Sequence, residues 1–375
     1  MQNYRLLLLF LVIAGLTGDY FLLTAPPEPG PTPADAVRLE GALVARLPMA
    51  TTNNAVASLE IGGRPHLYSF SGLGAGKQRS DIHSRAFAVN LGTGDIEVLG
   101  RLVPGAKDRL ASVAVGLHDR VFIFGGYTVG ADGSEISTPE VYAFDPVTRA
   151  YQARAPMPLP VDDTVALAYA DRYIYLVSGW HDDGNVADVQ VFDSWQDRWF
   201  AATPYPGRPV FGHAGGIVGN RFVIADGVAV RGRDAAGRRQ FGISETAWLG
   251  VIDPADPSVI RWQALPPHPG PGLYRMAAVG SERLGLVIFA GGSPNPYNFN
   301  GIGYNGEPSE PSTLVFAYDP ASGAWSELGR KPVATMDHRG LLEVGDNFYT
   351  LGGMLAGQQV SEQVLSFRLR GLDQD

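Results

Sequence analysis

Short runs of β-branched and aromatic residues, each ending in a small residue and glycine, punctuate this chain six times. They are Tyr68-Ser69-Phe70-Ser71-Gly72, Phe122-Ile123-Phe124-Gly125-Gly126, Tyr175-Leu176-Val177-Ser178-Gly179, Val223-Ile224-Ala225-Asp226-Gly227, Val287-Ile288-Phe289-Ala290-Gly291-Gly292 and Phe348-Tyr349-Thr350-Leu351-Gly352-Gly353. Their last glycines stand 54, 53, 48, 65 and 61 residues apart. After each glycine comes a polar loop, then an apolar run ending in Asp and often Pro, as in Tyr142-Ala143-Phe144-Asp145-Pro146 or Phe316-Ala317-Tyr318-Asp319-Pro320. A further run carries one large aromatic residue: Tyr151, Trp199, Trp262 or Trp325. Small-residue runs precede the glycine runs, at 111–117, 164–170 and 214–219. Short apolar runs bounded by Gly, Pro and Asp read as β-strands, and Asp-Pro supplies both a fixed φ and a side-chain acceptor for the turn. Each repeat therefore predicts four strands, with the small residues in the most crowded one.

A period near fifty residues with strand chemistry in every copy predicts an all-β fold, a six-bladed β-propeller of kelch type. The sixth repeat ends after three strands, near 364–369, whereas residues 42–49 read like the last strand of the second repeat, 151–158. The N-terminal strand is thus expected to complete the last blade and close the ring, which removes an exposed edge. The expected organisation is a signal peptide or signal anchor over 1–24, a Pro-rich linker over 25–39 and a single propeller over 40–372.

The length of 375 residues fits one repeat domain, because such architectures grow by adding units. Forty-seven glycines and 28 prolines supply the turns. A formal charge of −9 excludes the basic stripe that nucleic acid requires. The absence of cysteine removes disulfides, thiol catalysis, thiolate metal sites and a lipoprotein anchor together. At the N-terminus a short basic start, an apolar run over 6–16 and Thr17-Gly18-Asp19 have signal-peptide anatomy. The apolar run resumes at 20–23, so 6–24 is also long enough to anchor the chain in a membrane. Either way the propeller is expected outside the cytoplasm, in or facing the periplasm.

Strand order locates the candidate chemistry. With four antiparallel strands per blade, the residues just before each inner strand and the loops after each glycine run share one face of the disk. That face gathers Asn53 and Asn54, Asp108 and Arg109, Asp162 and Asp163, His213, Tyr274 and Arg275, and Asp337, His338 and Arg339. A second layer adds Trp180 and His181 and the loop holding Asn295, Tyr297, Asn298, Asn300, Tyr304 and Asn305. Three consecutive ionisable residues at 337–339 demand partners or a use, since buried charge is penalised by desolvation. Asparagine amides and tyrosine rings suit sugar hydroxyls and pyranose faces, although turns need the same residues. No HxH or HExxH spacing occurs, and no metal or other cofactor is expected.

With its apparent export signal, the pattern resembles the bacterial N-acetylneuraminate epimerase (sialic acid mutarotase) family. The likeness lies in Lys107-Asp108-Arg109 leading to Val121-Phe122-Ile123-Phe124-Gly125-Gly126, and in Ile288-Phe289-Ala290-Gly291-Gly292 with its long Asn/Tyr loop. The resemblance implies an exported propeller acting at the anomeric centre of a sugar. One departure stands out: the family expects a glutamate directly after the fourth-blade Asn-Gly and an arginine soon after. Here Asp226-Gly227 is followed by Val228, with Arg231 or Arg233 in reach of the arginine position. Galactose oxidase chemistry, which the kelch pattern also brings to mind, needs a cysteine cross-link and is excluded.

Two readings follow. In a mutarotase or epimerase, Asp337, His338, Asp162, Asp163 and His213 are the candidates for proton transfer. Arg339, Arg275 and Arg109 would bind an anionic group, with Tyr274, Trp180, His181, Asn295, Tyr297, Asn298 and Asn300 around the substrate. In the alternative, the same funnel binds a glycan or a protein partner without chemistry. The discriminating observation is whether the carboxylates and imidazoles converge on a shared cavity or are paired with the arginines.

Overall fold

The computed structural model describes residues 37–102 and 107–371. Signal-peptide and anchor expectations for 1–24, and most of the linker, lie outside the described residues. Among the described residues the chain forms six four-stranded antiparallel sheets and four two-stranded ones. The first complete blade is Ala55–Ile61, Arg64–Leu73, Ile82–Asn90 and Ile96–Arg101; the second is Val113–Leu117, Arg120–Phe124, Val141–Asp145 and Ala150–Arg154. Blades three to five repeat this order through Val165–Tyr169, Ala214–Val218 and Ala277–Ser281 as their first strands. The sixth blade pairs Leu342–Val344, Asn347–Leu351 and Gln363–Arg370 with Arg38–Arg46 from the other end of the chain. Ring closure by the N-terminal strand is therefore present. It begins at Arg38, ahead of the expected 42, and ends at Arg46 after an irregularity between Leu43 and Ala45.

Apolar side chains collect between successive blades. Six clusters occupy the six junctions, from Phe70, Val121 and Phe144 between the first and second to Val56, Leu67, Tyr349 and Val364 between the sixth and first. The large aromatic residue of the outer strand sits in this wedge: Trp199, Trp262 and Trp325 lie 5.1, 5.1 and 4.8 Å, ring to ring, from Phe192, Phe222 and Tyr318. Each of these indoles donates to a carbonyl at the end of the preceding blade: Ala155, Thr203 and Pro266, at 2.8, 3.3 and 3.0 Å. A half-buried Trp needs such an acceptor, so one residue type serves packing and polar satisfaction together. The Asp at the end of each third strand behaves as expected, its Oδ1 accepting from backbone amides two or three residues on, at Asp145, Asp193 and Asp319.

Crowding explains the small residues of the inner strands. A Cβ on Gly280 would lie 1.8 Å from the carbonyl oxygen of Ile217 in the neighbouring blade. Backbones there touch without intervening side chains.

Candidate functional site

Two positions before each of the first five inner strands, and five before the sixth, the chain turns through a left-handed conformation: Asn53 (φ 59°), Ala111 (54°), Asp163 (50°), Gly212 (59°), Arg275 (53°) and Asp337 (69°). The residue ahead of each makes a β-bridge to its own blade, pairing Thr52 with Leu73, Leu110 with Tyr127, Asp162 with Trp180, Phe211 with Val228, Tyr274 with Ser293 and Met336 with Met354. These six equivalent turns ring the axis. Backbone hydrogen bonds link them blade to blade: Ala111 to Asn53, Asp163 to Ala111, Gly212 to Asp163 and Arg275 to Gly212, each N–H donating to the preceding carbonyl at 2.7 to 3.2 Å. The fifth link slips by one residue, His338 N–H donating to Arg275 at 3.2 Å.

Across this ring the charged side chains neutralise one another. Arg275 forks between Asp337, at 2.9 Å, and Asp163. Arg339 reaches Asp163 at 2.8 Å, Asp337 at 3.6 Å and the Asn53 side-chain oxygen at 2.6 Å. Asp337 also accepts from Thr52 Oγ1 at 2.5 Å and from Asn53 Nδ2 at 3.1 and 3.2 Å. No side chain of the four ions is more than 3% exposed. Two guanidinium groups thus balance two carboxylates in a plate across the axis. Burial raises the Asp163 carboxyl, but Arg275 and Arg339 beside it win and hold it below the usual range. Burial and its neighbour Asp163 push Asp162 far above that range, which favours the protonated acid; its Oδ2 accepts from Ser137 Oγ at 2.6 Å.

The imidazoles are neutral. Burial lowers His213 to about 4, and its Nε2 meets the Val177 carbonyl at 2.8 Å. Burial, with Lys331 and Arg339 nearby, lowers His338 to about 3, and its Nε2 lies 2.7 Å from Thr335 Oγ1.

Above the plate, the loops after the glycine runs bring aromatic rings together. Tyr274 and Tyr297 are fully buried, 5.0 Å apart, with the Arg275 guanidinium 4.6 and 5.3 Å from their centroids. Outside them lie half-buried Trp180, Phe241 and Tyr304; Phe241 stacks on Tyr304 at 4.2 Å and sits 5.9 Å from Trp180. Arg239 lies 5.1 Å from the Trp180 ring and pairs with Asp183. Glu135, exposed on the loop of the second blade, is within electrostatic reach of Arg275, Asp163 and Arg239.

Of the candidates read from sequence, Asp163, Arg275, Asp337 and Arg339 come together, with Asp162, His213 and His338 around them. Tyr274, Trp180 and Tyr297 cap the plate. Arg109 does not join it: this residue falls two positions before Ala111, the repeat equivalent of Arg275, and its buried guanidinium bonds Gly125 O at 3.3 Å, Thr138 Oγ1 at 3.1 Å and Glu140 at 3.4 Å. His181 Nδ1 lies 2.8 Å from Pro160 O. Asn295 ties its own loop, donating to Asn305 and to Glu307 O at 3.3 Å, and Asn300 accepts from Ile302 N–H at 3.0 Å, while Asn298 is exposed. At the position where the resembling family expects its glutamate, Val228 is wholly buried in the bridge to Phe211. Arg231 and Arg233 bond carbonyls of their own hairpin, Ile243 O and Gly237 O. Sequence reading passed over Thr52, Glu135, Arg239 and Phe241. Thr52 had a signal in its repeat position beside Asn53; the others sit in short two-stranded hairpins without repeat register.

No family model matches the chain. Kelch-like protein 15 of Gallus gallus is 31% identical over 132 residues, covering 35% of this chain and 26% of that protein. Kelch-like protein 15 of Homo sapiens is 23% identical over 293 residues, covering 72% of this chain. The matched region is 42% of that relative, so the chain spans less than half the length of these curated proteins. A solved structure titled "Structure of YjhT" superposes with a TM-score of 0.66 at 15% identity, covering 86% of this chain and 96% of the other. These likenesses and the sheet topology agree on architecture: the chain is a six-bladed propeller built of kelch-type repeats.

Proposed function

We propose that this propeller is a binding module for a glycan, which it holds on its loop-bearing face without transforming it. The observation that carries this reading is the closed pairing of Arg275 and Arg339 with Asp163 and Asp337. Charges so paired and dehydrated are poor proton carriers, because changing the ionisation of either partner leaves the other buried alone. Half-buried Trp180, Phe241 and Tyr304 supply flat apolar faces for sugar rings, and Arg239 with its partner Asp183 edges them with hydrogen-bonding groups. An exported location, from the apolar run at 6–16, belongs to the same reading; full-length protein found in the cytosolic fraction would contradict it.

Titrating free sugars and oligosaccharides by saturation-transfer NMR is the test. Trp180→Ala should weaken binding roughly tenfold, the loss of one aromatic contact, with no acceleration of anomeric exchange by the parent protein. A mutarotase is the second reading, favoured by Asp162, a neutral acid beside the plate. Anomeric exchange accelerated by the parent and abolished in Asp162→Asn would replace the first reading with this one.

A further inference from the structure

Where each blade hands over to the next, one residue after the outer strand donates its backbone N–H to a carbonyl near the start of the third strand of the blade just left. The six donors are Leu47, Leu102, Met157, Tyr205, Leu265 and Lys331, bonding Glu362, Ser84, Pro139, Ala187, Ala247 and Thr313 at 2.5 to 2.9 Å. Five of these six equivalent side chains are apolar or aromatic and pack in the clusters between blades. The sixth is a lysine, and it is placed as its equivalents are. A Cβ on Gly125 would lie 2.6 Å from Cε of Met157, and one on Gly291, at the same place in the fifth blade, 3.2 Å from Cε of Lys331.

An amine in an apolar joint is costly unless it is paired or used. Lys331 is 5% exposed and makes no ion pair among the described residues; Nζ donates to the Val333 carbonyl at 2.5 Å and to Thr335 Oγ1 at 2.7 Å. Burial lowers the amine to about 7, so at neutral pH a large share of it carries a free lone pair. Lys331 also lines a cavity of about 160 Å³, where the closing strand meets the sixth blade, with Leu43, Pro332, Val333, Leu365 and Phe367 in the walls and no other charged residue. That volume is below the usual range of small-molecule sites, about 300 to 1,000 Å³, and admits only a short chain. We propose that Lys331 is a covalent binding site for a short apolar aldehyde, whose chain the cavity holds and whose carbonyl the amine captures as an imine. Nζ attacks the carbonyl carbon to give a carbinolamine, which loses its hydroxyl and the remaining proton on nitrogen as one water, so that C=N replaces C=O. Hydrolysis reverses the step, and no oxidant or reductant takes part. The neutral imine suits walls that offer a charged ligand no counter-ion.

The probe is butanal with cyanoborohydride, which reduces an imine to a stable amine, applied to the full chain at pH 7 and mapped by peptide mass spectrometry. The chain has three lysines, Lys77, Lys107 and Lys331, which makes the comparison direct. About half of an amine that titrates near 7 is free base at that pH, against roughly one in a few thousand at the ordinary lysine value of about 10.4. Lys331 should therefore be labelled at least tenfold faster than Lys77 or Lys107, although Lys107 is exposed. Leu43→Trp and, separately, Val333→Trp fill the cavity from partly exposed walls and should slow labelling of Lys331 at least tenfold with unchanged melts. Lys331→Met installs the residue found at the equivalent Met157 and should melt at or above the parent at pH 6, where the amine is mostly protonated. Labelling of Lys331 no faster than of the other two lysines overturns the proposal, whatever the folding of the variants. So does labelling that survives both wall variants. A Lys331→Met melt several degrees below the parent marks the amine as a structural donor to Val333 and Thr335 and likewise overturns it. Glycan binding at Trp180 depends on none of these outcomes, so the two proposals stand or fall separately.

Discussion

The innermost ring is closed in two different ways. Between the first five pairs of blades the link is a backbone N–H to a carbonyl, indifferent to side chains, which is why Ala111 and Gly212 serve as well as Asp163 and Arg275. Between the sixth blade and the first, the chain comes from opposite ends, and the contact at the axis is made by side chains: Thr52 and Asn53 donate to Asp337, and Arg339 reaches back to Asn53. One layer farther out, this junction does use backbone, with Gly353 N–H donating to Thr51 at 2.9 Å. The difference teaches that repetition is enough where blades are joined in sequence, whereas the seam needs residue-specific chemistry at its narrowest point. Much of the polarity that marks the axis as a candidate active site is therefore engaged in holding the ring shut.

The largest effect expected from attacking this comparison is deletion of residues 37–46. It strips the partner from Gln363–Arg370 and exposes an unpaired edge; size-exclusion chromatography should show aggregate in place of a folded monomer. Next is Asp337→Ala, which removes the seam acceptor and leaves Arg275 and Arg339 sharing one carboxylate. A broken buried ion pair costs about 3 to 5 kcal/mol, to be read from denaturant unfolding. An unchanged midpoint would mean that the plate is dispensable to the seam and free for function.

Smaller effects follow from protons. Asp162 has its folded-state pKa raised by burial and by Asp163, so the stability that it contributes is present below its unfolded value and is lost as pH rises through the range above it. Asp162→Asn, which mimics the neutral acid, should raise the melting temperature at pH 7 and lose that advantage near pH 3. The buried imidazoles act in the opposite sense. With His213 lowered to about 4 and His338 to about 3, stability is full above about pH 6.5 and falls as pH drops toward 4. Melts of His338→Gln between pH 4.5 and 7 should show a shallower slope than the parent. Smallest is Ala111→Gly at a backbone link: relieving an alanine at φ 54° should stabilise by up to about 1 kcal/mol, the reverse of the response at Asp337.

Sequence alone determined the architecture. The strand runs, the spacing of glycine-terminated copies, the aspartate turns and the wedge aromatics are local chemistry repeated at a regular interval, and local chemistry repeated in register is what a propeller is made of. Even the crossing of the N-terminus to the last blade could be read, because a missing strand at one end matched a spare one at the other. The same register gathered Asp163, Arg275, Asp337 and Arg339 at one face of the axis. What they do there was decided only by tertiary structure. Residues 163, 275, 337 and 339 come from three blades, and a carboxylate facing a guanidinium across the axis has the same sequence signature as one facing open solvent. Arg109 shows the limit at residue resolution, since a shift of two positions from Ala111, the equivalent of Arg275, turned it away from the axis toward Thr138. Glu135, Arg239 and Phe241 lie in two-stranded hairpins of differing length, where no period carries information, and their meeting above the plate depends on the path each hairpin takes through space. The space lined by the six inner strands is likewise a property of six backbones brought to one axis, and no stretch of sequence contains it.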